Sequence, residues 1–275
     1  MTDAGRLLTA IVLFLFASAA AAQDLVFQGA IEQGGLAIGH SGPGAKVTVD
    51  GRRVPVTQGG DFLIGFGRDA GAETKVRVVH RDGRLERRVL TVRQRTYPEQ
   101  RIDGLPGRQV TPDVAALKRI RADAALIRAV RGRAPSVEPH FLDGFAWPVK
   151  GRISGVFGSR RILNGEPRRP HYGLDIAAPA GTSIGAMAGG VIALIADDMF
   201  YTGRTLMIDH GHGLASVYAH MSEILVGEAD VVVAGQAIGR IGSTGRATGP
   251  HVHWGISLGG THLDPALVVP TPVND

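Results

Sequence analysis

Seven of the ten histidines stand at or beyond position 171: His171, His210, His212, His220, His251, His253 and His262. Three spacings among them could do chemistry. The pair His251-Val252-His253 sits in a strand-like run ending Trp254-Gly255-Ile256. Residues i and i+2 of a strand share a face, so both imidazoles project together. One would bind a metal, and its neighbour would bind the same metal or stand beside it. His171 and Asp175 lie four apart, but Pro170 and Gly173 argue against a helix. A turn leading into a strand can bring this imidazole and carboxylate inward, whereas by itself such a pair reads as a surface histidine beside a solvated aspartate. Tyr218-Ala219-His220 ends an apolar run, which places a candidate general base or oxyanion stabiliser at the end of a strand. Together the three spacings suggest a zinc centre with three protein ligands and one position open to water. Zinc so bound lowers the pKa of water to about 7 and polarises a scissile carbonyl. The spacings leave open whether His251 or His253 is the third ligand.

Composition agrees with this ligand chemistry. The 275 residues contain no cysteine, which excludes a disulfide scaffold, a thiol nucleophile and thiolate-bound metal. Apolar residues make up 44% and charged residues 20%, a balance that buries a core. Glycine stands at 39 residues, about double the usual 7%, and this favours turns and short strands over long helices.

The elements that must position the histidines are short and rich in β-formers. From Phe145 onward, apolar runs (Arg152 to Phe157, Gly190 to Ile195, Thr205 to Ile208, Leu214 to Tyr218, Gln236 to Ile241, His251 to Ile256) alternate with glycine turns. Residues 151–260 hold 21 of the 39 glycines. We expect an all-β catalytic domain over 141–275. A small β-sandwich-like domain is expected over 23–95, with hairpins at Asp50-Gly51 and Asp82-Gly83 and a strand from Asp61 to Phe66. Its His40 and His80 read as surface or strand residues. A connector over 96–140 carries a helix about 112–131, with Thr111 as N-cap, Pro112 at the first helical position and Gly132 as stop. Val114, Leu117, Ile120, Ala124, Ile127 and Val130 form its apolar stripe. Lys118, Arg119, Arg121, Arg128 and Arg131 give it a basic outer side, read as solvated rather than bound to anionic wall or membrane.

Residues 1–22 read as a secretory signal: Arg6 precedes an apolar run from Leu7 to Ala22 that ends in small residues. The run is 16 residues long, short of the ~20 that span a bilayer, so no transmembrane segment is expected after cleavage. The net charge of +5 favours anionic surroundings. The arginines are scattered without aromatic stacking platforms, so nucleic acid is not an expected partner.

An ordered set of motifs resembles the lysostaphin-type (LytM or β-lytic) zinc metallopeptidases over about residues 145–268. It comprises Trp147-Pro-Val-Lys-Gly151, Phe157-Gly-Ser-Arg160, His171-Tyr-Gly-Leu-Asp175-Ile-Ala-Ala-Pro179, Tyr218-Ala-His220-Met-Ser222, Gly235-Gln-Ala-Ile-Gly239 and Gly242-Ser-Thr-Gly-Arg-Ala-Thr-Gly-Pro-His251-Val-His253-Trp254. The resemblance implies a mainly β chain whose catalytic domain is a Gly-rich antiparallel fold of the duplicated hybrid motif type. It implies zinc (Zn2+) on His171, Asp175 and His253, with His220 and His251 as flanking catalytic residues. The implied reaction is hydrolysis of peptide bonds in peptidoglycan stems or cross-links, with a histidine returning the proton to the leaving amine. Ser183 stands where Pro is usual, His212 where Asn is common, Ala229 where Gly is usual and Val252 where Leu is usual, and none removes a ligand. His210 reads as structural, His140 and His262 have no assigned role, and Tyr201 is a candidate oxyanion donor.

The resemblance also carries an alternative, a non-catalytic regulator or activator of cell-wall amidases, and a third reading is a wall-binding module with a vestigial site. Regulators of that kind lack one or more ligands, and here all are present. Expected partners are peptidoglycan and envelope or divisome regulators, in the periplasm of a Gram-negative-type envelope. The connector is expected to restrain access to the groove.

Overall fold

The structure is a computed structural model that describes residues 25–133 and 136–269. The expected leader lies outside these residues. Seven strands come first: β1 (Val26–Gly29), β2 (Leu36–His40), β3 (Lys46–Val49), β4 (Arg52–Val54), β5 (Asp61–Gly65), β6 (Glu73–Val79) and β7 (Leu85–Thr91). They form two antiparallel sheets, ordered β1-β2-β5 and β4-β3-β6-β7. Asp50 and Gly51 both take positive φ, 47° and 78°, as a two-residue turn that matches strand twist requires. At the second hairpin Gly83 alone is left-handed, and its N–H closes onto His80 O, so that loop is longer.

Alternation explains how these two sheets attach to the rest. Ala37, Phe62 and Ile64 face the second sheet and share its core with Val47, Val76 and Val78. Leu36 and Leu63 point the other way and enter the large core of the carboxy-terminal half. The β2–β5 pair is therefore buried on both faces and joins two cores, while β1 at the edge is largely exposed.

The connector contains β8 (Glu99–Ile102), α1 (Gly107–Val110), α2 (Val114–Arg131) and a 3-10 turn at His140–Asp143. The helix α2 starts two residues later than the sequence pattern indicates. Asp113 is the N-cap, with its carboxylate accepting Ala116 N–H at 2.7 Å. Thr111 instead closes α1 through its own N–H. The stop at Gly132 stands, with Gly132 N–H on Arg128 O.

The remaining strands are β9 (Arg152–Gly155), β10 (Arg160–Leu163), β11 (Glu166–Arg168), β12 (Leu174–Ala177), β13 (Ser183–Gly185), β14 (Gly190–Met199), β15 (Gly203–Asp209), β16 (Leu214–Ile224), β17 (Val231–Val232), β18 (Ala237–Ile241), β19 (His251–Leu258) and β20 (Thr261–Leu263), before a last short helix α3 (Pro265–Val268). A ten-stranded sheet runs β17-β14-β15-β16-β19-β12-β9, with β13, β18 and β20 attached. All its pairings are antiparallel. The chain is thus mainly β, as expected. The parallel strand pair β8–β10 ties the connector to the segment that precedes the site.

Period-two alternation divides the residues of this sheet between two faces. Leu174 and Ile176 of β12, Tyr218 of β16, and Val252, Trp254 and Ile256 of β19 fill the large core. Asp175, Ala219 and His253 therefore belong to the opposite face.

Candidate metal centre

Register brings the ligand set together. Asp175 lies directly opposite His253 in the β12–β19 ladder, so their side chains rise side by side from one face. His171 precedes β12 and is fixed by two backbone bonds, its N–H on Ser159 O and Gly158 N–H on its carbonyl. Asp175 Oδ1 then stands 3.0 Å from His171 Nε2 and 2.8 Å from His253 Nδ1, with 3.0 Å between the two nitrogens. These three residues are the one His/Asp/Glu cluster among the described residues that could hold a metal ion.

The donor set fits zinc. All three atoms are N or O acceptors, and a tetrahedral ion with bonds of about 2.0–2.1 Å holds its ligands about 3.3 Å apart. His171 Nδ1–H donates to Val156 O at 3.1 Å, which fixes the tautomer and leaves the Nε2 lone pair for a metal. Asp175 Oδ2 accepts from Arg161 Nη2 at 2.8 Å, which leaves Oδ1 for the centre. Two glycines make room: a Cβ at Gly155 would overlap the Asp175 carboxylate, and one at Gly173 would press into the His253 ring.

Desolvation pushes His171 down to about 4. Asp175 is held well below the usual carboxylate range: burial works against this, and the close contacts with the His171 and His253 rings outweigh it.

His251 and His220 complete the cluster. His251, two residues before His253 on β19, has its ring centroid 4.6 Å from that of His220, and the His220 ring lies 6.3 Å from His253. His220 Nδ1–H donates to Thr244 O at 2.7 Å and His251 Nδ1–H to Gly249 O at 2.8 Å. Each ring is left with Nε2 as its second nitrogen. Burial and the two neighbouring imidazoles push His220 down to about 3. The strand does not end at His220 as the sequence pattern indicates. It runs on to Ile224, with His220 itself at φ +62°.

The other singled-out residues lie elsewhere or serve the frame. His210 is fully buried, bonded through Nδ1 to Gly189 O and through Nε2 to Ser216 Oγ. His212 packs against Phe141. His40 pairs with Asp61 and His80 with Glu86. His262 stacks on Tyr172. Tyr201 lines the cavity beside His171, His220 and His253 and carries the Arg246 guanidinium 4.1 Å from its ring centre.

That cavity, about 640 Å³, is roofed by α2: Ile120, Asp123, Ala124 and Ile127 line it together with His171, His220 and His253. Ile127 and Val130 pack on Leu194, Met199 and Met207. Asp123 Oδ2 accepts Phe200 N–H at 2.7 Å, and Arg119 pairs with Asp198 at 2.7 Å. The basic side of the helix is not wholly outward, since Arg121 and Arg128 also line the cavity. The apolar stripe is poorly buried, with Val114 85% exposed. Arg161, Gly155 and Thr244 are the residues around the cluster that sequence spacing did not single out.

Comparison with known proteins agrees with this geometry. Residues 169–265 match the model of peptidase family M23. A solved structure described as a putative peptidase M23 from Pseudomonas aeruginosa is 31% identical, covers 86% of this chain and 93% of its own, and superposes with a TM-score of 0.66. The chain belongs to peptidase family M23. It is similar to the DD-carboxypeptidase/endopeptidase Mpg of Neisseria meningitidis, 42% identical over 122 residues, or 44% of this chain and 28% of that protein. It is also similar to the peptidoglycan DD-endopeptidase ShyA of Vibrio cholerae, 39% identical over 117 residues, or 42% of this chain and 27% of that protein. The chain matches little more than a quarter of the length of these two relatives.

Proposed function

We propose that the protein is an exported zinc metalloendopeptidase that hydrolyses peptide bonds in peptidoglycan stem peptides or cross-links. The convergence of His171 Nε2, Asp175 Oδ1 and His253 Nδ1 within 2.8–3.0 Å of one another carries this reading. Similarity to peptidoglycan peptidases supports the substrate class. No helix among the described residues is long and apolar enough to cross a membrane, and the leader pattern at 1–22 supports delivery to the periplasm.

In this reading His171, Asp175 and His253 hold the ion. Zinc supplies a Lewis acid for the scissile carbonyl and acidifies the attacking water. Val156 O and Arg161 orient two of the ligands from behind. His220 and His251, each with Nδ1–H committed to a carbonyl, present Nε2 toward the reacting groups. Between them they take the proton of the water, steady the developing oxyanion and return the proton to the leaving amine. The completeness of the ligand set and of both flanking histidines favours an enzyme over a regulator with a degenerate site.

The α2 roof supports a second feature, that the groove is held closed by the connector until the helix is displaced.

Purified protein is expected to contain one zinc per chain and to release dye from labelled peptidoglycan, with release abolished by chelator and restored by zinc. Protein that carries stoichiometric zinc yet cleaves no peptidoglycan, even with the α2 contacts removed, would overturn the enzyme reading.

A further inference from the structure

The cavity that holds the metal ligands is lined by six arginines: Arg121, Arg128, Arg161, Arg168, Arg169 and Arg246. Few acids answer them. Asp175 takes Arg161, and the Asp123 carboxylate is committed to Phe200 N–H. Arg246 is half-buried on the face of Tyr201, and among the described residues no carboxylate lies within ion-pair distance of it. Arg168 has the Glu166 carboxylate 3.6 Å away and a further bond to Pro167 O. Burial, and the nearby charges of Arg161 and Arg168, hold Arg246 below the usual guanidinium range. A desolvated cation without a counter-ion is costly, and an anionic ligand in the groove would supply the missing charge.

What the two guanidiniums touch is informative. Arg246 Nη1 donates to Gln109 O at 3.1 Å, and Arg168 Nη2 donates to Val110 O at 2.9 Å. One arginine comes from β11, the other from the loop before β19, and they meet adjacent carbonyls at the end of α1. Terminal helix carbonyls lack intrahelical partners and carry partial negative charge. The two guanidiniums thus converge on the oxygens of two consecutive peptides, and a guanidinium is the side chain best matched to a carboxylate.

We propose that Arg168 and Arg246 form a carboxylate subsite of the groove, which selects peptides carrying a free acidic group near the scissile bond over neutral, glycine-type peptides. This rests on the peptidase reading above and deepens it. The end of α1 occupies the subsite while the connector is docked, so substrate and connector compete for the same two guanidiniums. The subsite is close to the chemistry, because Arg168 and Arg246 line the same cavity as His171, His220 and His253.

The test uses full-length protein and two fluorescent peptides that differ only by a carboxylate or a carboxamide on the residue next to the scissile bond. Anisotropy is read on chelator-treated protein, where nothing is cleaved, for the unaltered chain and for D123A, which frees the roof. The carboxylate peptide is expected to bind about ten- to a hundredfold more tightly, as a charge-assisted hydrogen bond provides. R246Q should bring it down to the affinity of the carboxamide peptide, R168Q should remove part of the preference, and R246K should keep part of it. Equal affinity for the two peptides overturns the subsite. So does an equal loss for both in R246Q, or no binding of either peptide by the unaltered chain and D123A. Hydrolysis by the zinc-loaded protein is scored separately: a retained binding preference with no cleavage counts against the peptidase reading and leaves the subsite standing.

Discussion

Ala219, the residue before His220, lies directly opposite His253 in the β16–β19 ladder. By strand alternation Ala219 therefore shares the face of Asp175 and His253, and a regular strand would send His220 into the core beside Tyr218. The left-handed backbone at His220, φ +62°, breaks the alternation and turns the imidazole back to the cluster. A non-glycine residue there costs about 1–3 kcal/mol, and such strain concentrates at functional sites. It is held by His220 N–H on Thr202 O and by Nδ1–H on Thr244 O. His220→Ala is expected to retain stoichiometric zinc and to lose about 10²–10⁴ in hydrolysis rate, the worth of a positioned proton-transfer group. Metal analysis and dye release on the same preparation check it, and an active variant would remove His220 from the chemistry.

The ligand assignment makes a contrasting prediction. His171→Ala and Asp175→Ala should lose the metal itself, and retained zinc in His253→Ala would show the His251/His253 pair to be assigned backwards. Gly155→Ala tests the space around the carboxylate, because its Cβ would overlap Asp175 Oδ2 where Arg161 holds it. Disturbing such an outer partner lowers metal affinity about 10–100-fold. Competition against a chromophoric chelator measures that shift, and wild-type affinity in Gly155→Ala would show that the carboxylate can move without cost.

How much of this was legible in the sequence follows from what each feature depends on. The His251-Val-His253 spacing on a strand and the His171/Asp175 pair show up as local patterns, and the motif order points to the family. The pairing of Asp175 with His253 is a register 78 residues apart in sequence, which spacing alone does not fix. That is why the residues by themselves left His251 and His253 open. His220 was recognisable as a strand-end histidine, but the strand continues through it, and a positive φ at a non-glycine residue has no local sequence signal. Arg161 stands next to the Phe157–Arg160 motif, but its partner Asp175 lies across the fold, and local spacing carries no sign of the pair. The α2 start departs from the sequence pattern for a physical reason: Pro112 suits a first helical position, yet Asp113 caps better by accepting Ala116 N–H.

Acid should destabilise the fold through His210. The ring is fully buried and burial pushes it down to about 4. Above pH 6.5 the histidine is neutral in both folded and unfolded chains. Between pH 6.5 and 4 the unfolded chain binds the proton and the folded chain does not, so stability falls with falling pH, by roughly 3 kcal/mol in total. Urea unfolding of chelator-treated protein at pH 7.5 and 4.5, compared with His210→Gln, isolates this contribution. The wild type should lose more than the variant over that interval, and equal losses would show that His210 accepts a proton in the folded state.

Ala229 gives a stabilising prediction. It is exposed and left-handed, φ +68°, at a position where related sequences are expected to carry glycine. Relieving the Cβ clash of that conformation is worth about 1–2 kcal/mol, partly offset by the greater freedom of an unfolded glycine. Ala229→Gly should raise the melting temperature by a degree or more and leave hydrolysis unchanged. A lower melting temperature would mean that the backbone there relaxes around alanine.

Whether α2 closes the groove is best tested without cutting the chain. Deleting residues 23–140 would also strip Leu36 and Leu63 from the large core, so a loss of activity on truncation would report unfolding as readily as anything about access. Point changes on the helix avoid this. Ile127→Asp removes the contact with Leu194, Met199 and Met207, and Asp123→Ala removes the acceptor of Phe200 N–H. A half-buried isoleucine and one hydrogen bond together contribute roughly 2–3 kcal/mol. If the docked helix blocks substrate, losing that much multiplies the open population, and peptidoglycan hydrolysis should rise about tenfold or more in the double variant. Hydrogen exchange along residues 114–131 shows whether the helix has been loosened. Faster exchange with an unchanged rate would mean that the helix covers the groove without gating it.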